Sequence, residues 1–260
     1  MVSFVSVEEE MPANTYLRSV LAQYAVNTAG AEAAGNALYP IIQRWAGVYL
    51  VSAEFSGSLR KGTAVTLSAD ADIFISLSSN TPNTLENIYS TLCTAVQSTG
   101  LPVRRQNVSV GTNINGYKID LVPGRMQSQN GNDHSLWKSH AQTWTQTNIR
   151  THIDIVTSSN RLEEIKTIKV WRTLNNLDFP SIYLELVVIE ALRYARAGNL
   201  AQNVCSVLEY LRDNFLRARF VDPANTNNII SADLSEDNKQ RISRQAAATL
   251  LVQNWNQVIW

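Results

Sequence analysis

Residues 70–77 read Asp-Ala-Asp-Ile-Phe-Ile-Ser-Leu, an apolar and β-branched run that opens on two alternating carboxylates. The apolar part predicts a strand over 71–77. In a strand, side chains at i and i+2 leave the same face, so Asp70 and Asp72 stand side by side while Ala71, Ile73 and Ile75 face a core. Aspartate is depleted in strands and like charges on one face repel, so the pair calls for a counter-charge. A divalent metal answers that need, because Mg²⁺ is commonly held by one or two carboxylates together with the phosphates of a substrate.

A turn suited to phosphate lies just ahead, in Phe55-Ser56-Gly57-Ser58-Leu59-Arg60-Lys61-Gly62-Thr63. Gly57 lets backbone N–H groups approach an anion closely, and the Ser58 hydroxyl is placed to donate to the same oxygens at a helix start. Arg60 and Lys61 add charge nearby. A third acid, Asp120, stands alone among core residues in Gly116-Tyr117-Lys118-Ile119-Asp120-Leu121-Val122. If its strand neighbours the first, three carboxylates meet, a set able to hold two metals about 3.5–4 Å apart.

The rest of the chain supplies a frame. Helix is expected over 14–50 with Asn14 or Thr15 as a cap and Pro40 breaking or restarting it, then strand over 51–55. Leu85, Ile88, Leu92 and Val96 have helical spacing, and strands are expected over 103–110 and 116–122 around a turn at 111–116. Residues 125–133 read as a polar connection. Helices are expected over 162–174, 181–197, 200–220 and 235–255, with Gly198 as a helix-ending glycine and Ser235 as an N-cap. This divides the chain into residues 1–130, mixed α/β, and residues 131–260, helical.

Composition narrows the function classes. With 45% hydrophobic and 17% charged residues the chain has the balance of a soluble globular protein. Lys plus Arg equals Asp plus Glu at 22 each, so no global positive field is present to hold a long nucleic acid. The apolar runs are too short for a membrane span. Cys93 and Cys205 lie far apart without ligand or redox spacing and read as packed thiols of a reducing compartment. Glu8-Glu9-Glu10 stands where a signal peptide needs basic residues, and a cytoplasmic location is expected. His134, His140 and His152 are too few for a histidine-rich metal site, and Trp137, Trp144 and His152 are expected in a helical core rather than against a base.

Gly57-Ser58, Asp70-Ala71-Asp72 and Asp120 together resemble the signature of the DNA polymerase β-like nucleotidyltransferase superfamily. The run from Gly57 to Thr63, Gly-Ser-x-x-x-Gly-Thr, is similar to the group of oligoadenylate synthetases, cyclic GMP-AMP synthase, bacterial cyclic-oligonucleotide synthases and archaeal CCA-adding enzymes. The resemblance implies an α+β fold, a mixed-sheet catalytic lobe packed on a helical lobe. It implies that Asp70, Asp72 and Asp120 ligate Mg²⁺ or Mn²⁺, and that Gly57, Ser58, Lys169 and Ser181 hold the nucleotide phosphates. It further implies NTP substrates, ATP or GTP, and transfer of NMP to a nucleotide hydroxyl with release of pyrophosphate, giving a cyclic or linear oligonucleotide; a regulatory protein partner is compatible with it. Val221-Asp222-Pro223…Asn228 is similar to an Asp-Pro…Asn loop of the signalling branch and is assigned an architectural role. Read from the residues alone, Lys169 fits a solvated helix face and Ser181 a simple cap. A protein, tRNA or small-molecule acceptor, or a silent nucleotide-binding module, remain alternatives.

Overall fold

The computed structural model describes residues 7–66 and 70–260, with side chains from residue 12. Three helices open it: α1 (Val7–Gln23), α2 (Thr28–Asn36) and α3 (Tyr39–Ala46). Asn14 therefore lies inside a helix instead of capping one, and its side chain accepts from the Ala201 backbone N–H at 2.8 Å. Pro40 does restart the chain as helix, in the first turn of α3, where its missing N–H costs no hydrogen bond. Strand β1 (Leu50–Phe55) follows, then the single turn of helix α4 (Gly57–Lys61), β2 (Ala71–Leu77) and α5 (Leu85–Gln97). Thr84 caps α5 through the Asn87 N–H, and Ile88, Leu92 and Val96 are buried as their spacing requires.

The described residues form one seven-stranded mixed sheet of order β1-β2-β5-β4-β3, with β3 (Arg104–Arg105), β4 (Val110–Ile114) and β5 (Tyr117–Met126). The turn between β4 and β5 is shorter than expected, because Asn115 and Gly116 take positive φ (52° and 87°) and close a two-residue hairpin. Asn-Gly is the pair that suits such a turn, and it lets 110–114 pair as strand. Beyond the connection at 127–133, β6 (His134–Lys138) and β7 (Thr143–Thr147) extend the sheet from the end of β5. The boundary expected after residue 130 thus falls within the span of the sheet, which ends at Thr147. His134 fastens this extension: its Nδ1–H donates to the Asn132 carbonyl, and its Nε2 accepts from the Ser76 hydroxyl at 2.7 Å.

Helices then take over: α6 (Ile149–Ser158), α7 (Leu162–Leu174), α8 (Ser181–Ala191), α9 (Leu200–Asp213) and α10 (Glu236–Thr249). Helix α8 ends before residue 197, so Gly198 (φ 102°) sits in the following loop and does not end that helix. Ser235 caps α10 through the Asn238 N–H, as its position predicts.

Two cores hold the parts. Ala71, Ile73, Ile75 and Leu77 of β2 pack with α2, α3 and α5 on one face of the sheet. The other core joins α7–α10 and includes Leu17 and Val20 of α1. The first helix therefore belongs with the helical part and not with the sheet. Val65, just after α4, is buried in the same core and ties the Gly-Ser turn to the helices.

Candidate active site

Strands β2 and β5 run parallel and in register, with Asp72 opposite Asp120. Register partners project from the same face, so both carboxylates rise from the face opposite the Ile73–Ile75 core. Burial, then the charges of Asp120 and Asp70, push the Asp72 carboxyl up to about 7, while Lys61 and Lys169 pull it back. Asp120 is raised as well, by burial and by Asp70, with Arg104 opposing. Asp70 is thus close enough to act on both. The Asp120 Oδ1 atom is buried and has no hydrogen-bond donor. Such a site gains strongly from a cation.

The Gly-Ser turn stands against this pair. Ser56 N–H donates to the Asp72 carbonyl at 2.8 Å, which pins the start of α4 to β2. Gly57 has φ 55°, and a Cβ there would lie 1.8 Å from Asp72 Oδ2, so only glycine fits on both counts. The first intrahelical bond of α4 is Arg60 N–H to the Ser56 carbonyl, and the Ser56 side chain caps nothing. The N–H groups of Gly57, Ser58 and Leu59 consequently precede the helix ladder. Gly62 closes α4 in the left-handed conformation.

Behind the turn lies a buried ionic cluster that sequence reasoning missed. Glu185 of α8, fully buried, accepts from Lys61 Nζ at 2.8 Å, from Lys169 Nζ at 2.7 Å and from the Thr63 hydroxyl at 3.0 Å. Lys169 also donates to Thr63 Oγ1 at 2.9 Å and is 1% exposed. Its amine is therefore spent on Glu185 and Thr63, and not presented on a solvated helix face. Burial holds Lys169 below the ordinary lysine range despite Glu185. Burial alone would raise Glu185, but Lys169 and Lys61 outweigh it and hold the carboxyl low. The signal was available: Glu185 is an acid set among apolar residues, Leu184, Leu186 and Val187, as Asp120 is in a strand.

Ser181 is exposed at the first position of α8 and accepts from Arg172 Nη1 at 3.2 Å, while the same nitrogen donates to the Phe179 carbonyl. The cation beside Ser181 is thus Arg172 instead of Lys169. Trp137 and Trp144 face each other across the β6–β7 hairpin, not within a helical core, and Trp144 is 56% exposed. His152 Nε2 lies 2.7 Å from Asp222 Oδ1, and Asp222 also accepts from the Ala224 N–H and the Asn228 amide, which gives the Asp-Pro…Asn loop its fixed shape.

Among the described residues, no group of three or more His, Cys, Asp or Glu side chains is drawn together as a closed metal cage. The Asp72–Asp120 pair, with the orphaned Asp120 oxygen and Asp70 near it, still suits a divalent cation that takes its remaining ligands from a bound phosphate.

No protein-family model matches the chain, and no curated protein matches it. Solved structures do match. The Bradyrhizobium diazoefficiens CD-NTase CdnG, in complex with GTP, aligns with TM-score 0.75 at 14% identity over 90% of each chain. CdnC of E. coli MS115-1, solved with ATP, aligns with TM-score 0.74 at 19% identity over 90% of this chain and 88% of that one, and CdnC has also been solved bound to a HORMA protein. The Cid1 poly(U) polymerase, bound to MgATP, aligns with TM-score 0.64 at 11% identity over 91% of this chain and 92% of that one. The chain has the nucleotidyltransferase fold these proteins share. Among the described residues no helix is long and apolar enough to cross a membrane.

Proposed function

We propose that this protein is a divalent-metal-dependent nucleotidyltransferase that moves NMP from an NTP to an acceptor hydroxyl, a nucleotide hydroxyl in the leading case, and releases pyrophosphate. The observation that carries the reading is the in-register pair Asp72 and Asp120, both raised by burial first and then by neighbouring carboxylates, with Gly57 pressed against Asp72. The fold supports it, and its neighbours CdnC, CdnG and Cid1 were solved with ATP, GTP and MgATP.

In this reading Asp70, Asp72 and Asp120 hold Mg²⁺ or Mn²⁺. Bound there, the metal neutralises the carboxylates and the charge that builds on the transferring phosphoryl group. The N–H groups of Gly57 and Ser58 and the Ser58 hydroxyl orient the triphosphate, with Ser181 and its partner Arg172 on the opposing helices. Lys169 supplies positive charge from behind the turn and meets a phosphate only by leaving Glu185. The acceptor hydroxyl loses its proton beside Asp120, its oxygen bonds to the α-phosphorus, and the bond to pyrophosphate breaks. With a neutral overall charge, small nucleotides are the fitting substrates and long nucleic acids are not. The catalytic part spans the sheet and α1–α5 less α1, and the helices from α6 onward complete the site. The HORMA complex of CdnC supports a protein partner for this chain as well.

The test is incubation with ATP, GTP, CTP and UTP and Mg²⁺ or Mn²⁺, with pyrophosphate assayed and products separated and weighed by mass spectrometry. A linear or cyclic oligonucleotide is expected from the wild type, with Asp72→Asn at least about 100-fold slower. Equal pyrophosphate release by Asp72→Asn would sink the assignment.

A further inference from the structure

A row of four residues crosses the sheet at the level of the acid pair. Asp72 pairs with Asp120, Asp120 with Gly111, and Gly111 with Arg104. Register partners share a face, so Arg104 stands on the face of the carboxylates, two strands beyond Asp120 with Gly111 between them. Gly111 makes that placement consequential. A Cβ on it would lie 3.0 Å from Asp120 Oδ1, 3.1 Å from Arg104 Nη2 and 3.3 Å from Arg104 Nε, so the guanidinium lies over the bare glycine towards the acid.

The contact is incomplete in a way that points to a third party. Arg104 Nη2 stops 3.8 Å from Asp120 Oδ1, too far for a hydrogen bond. The Arg104 side chain is 48% exposed and donates no hydrogen bond among the described residues. Asp120 Oδ1 is buried without a donor. Arg105, the next residue, belongs to the other face, where its guanidinium sits 6.0 Å from the centre of the Tyr89 ring. One guanidinium with free donors therefore borders the third carboxylate, on the side away from Gly57, which presses on Asp72 at the other end of the row.

We propose that Arg104 binds a phosphate carried by the nucleotide acceptor, and so sets a preference for a phosphorylated acceptor over the bare nucleoside. The inference rests on the nucleotidyl-transfer reading above and deepens it. The donor triphosphate occupies the Gly57 end of the row and the acceptor hydroxyl meets Asp120. An acceptor phosphate then brings negative charge to a place already holding three carboxylates. A planar, permanently charged fork beside Asp120 offsets that repulsion and grips phosphate oxygens in pairs.

The full-length protein is given an NTP donor with Mg²⁺ or Mn²⁺, and each common ribonucleoside is offered as acceptor against its own 5′-monophosphate. Neither acceptor of a pair can act as donor. The wild type should extend the monophosphate in preference to the nucleoside. Arg104→Gln should lower kcat/KM for the monophosphate by about 10–100-fold more than for the nucleoside, the range for a hydrogen bond to a charged group, with any loss through Asp120 common to both acceptors. Arg104→Lys should restore part of the loss. Equal use of both acceptors by the wild type, or an equal slowing of both by Arg104→Gln, overturns the Arg104 assignment while leaving nucleotidyl transfer intact. Absence of pyrophosphate release with every NTP sinks both.

Discussion

Asp72 and Asp120 occupy partner positions on neighbouring parallel strands, and the tip of one lies where any side chain at residue 57 would have to be. Two acids on one face of adjacent strands oppose folding, since each loses hydration and each repels the other. The fold holds them there with the rest of β2 and β5, whose Ile73, Ile75, Ile119 and Leu121 are buried in a common core. The site is thus built at the expense of local stability, and that tension can be measured.

In EDTA the protein should be less stable at pH 8 than at pH 5. The folded Asp72 carboxyl lies near 7 against 3.8 unfolded, so its contribution is full below about 3.8 and is lost as pH rises through the folded value. Asp120 is shifted in the same direction. Glu185 and Asp222 are lowered, so their stabilisation is present above their unfolded values and is lost as pH falls through the acid range, while His134, lowered by burial, opposes part of the trend by losing stabilisation as pH falls below 6.5. Urea titrations across pH 5–8 should show a loss on the order of 2–4 kcal/mol for the wild type. Asp72→Asn should flatten most of the slope, and Mg²⁺ should stabilise the wild type at pH 8 far more than this variant.

Gly57→Ala should disable the turn rather than trim it. The new methyl must enter a left-handed φ and also displace the Asp72 carboxylate from 1.8 Å. Strain of this kind costs about 1–3 kcal/mol before the clash is counted. The expected result is a lower denaturation midpoint together with at least about 100-fold lower pyrophosphate release. Gly47, also at positive φ but with open space around it, serves as control: Gly47→Ala should cost stability alone.

Much of this arrangement was legible because short-range chemistry wrote it. Asp120 betrayed itself as a charge in an apolar strand, Pro40 as a helix start, Ser235 as a cap. What escaped reading depends on contacts distant in sequence. Glu185 and Lys61 are 124 residues apart, and their pairing follows from how α8 packs behind α4. Arg104 has no local signal at all, since its meaning comes from Gly111 and Asp120 across two strand pairings. The β6–β7 hairpin becomes part of the sheet only by the pairing of β6 with the end of β5, a contact no local pattern announces.

Asp222→Asn should separate architecture from chemistry. The carboxylate is held low, burial being outweighed by His152 and by the Ala224 and Asn228 donors, so it works as the fixed centre of the 222–228 loop. Its loss should cost about 1–3 kcal/mol, the range for weakening a charged hydrogen-bond set. At a temperature where the variant remains folded, kcat/KM for nucleotidyl transfer should stay within about twofold of the wild type. A large catalytic defect in a well-folded variant would give the loop a direct part in the reaction.

Glu185→Gln provides the sharpest test of how the Gly-Ser turn is joined to the helices. Glu185 is the acceptor shared by Lys61, Thr63 and Lys169, and all four side chains are buried. The amide keeps the shape but removes the negative charge, leaving two buried ammonium groups facing each other and the end of α4 without its anchor. Breaking a buried pair from one side costs about 3–5 kcal/mol, because the surviving charge loses both water and partner. Denaturant unfolding should show that loss for Glu185→Gln. The double variant Glu185→Gln with Lys169→Met should recover part of it, since one stranded charge is gone and Lys61, at 8% exposed, lies nearer to water. No recovery in the double variant would mean that Lys169 is not held by Glu185 in solution, and that its amine is free to face a phosphate from the start.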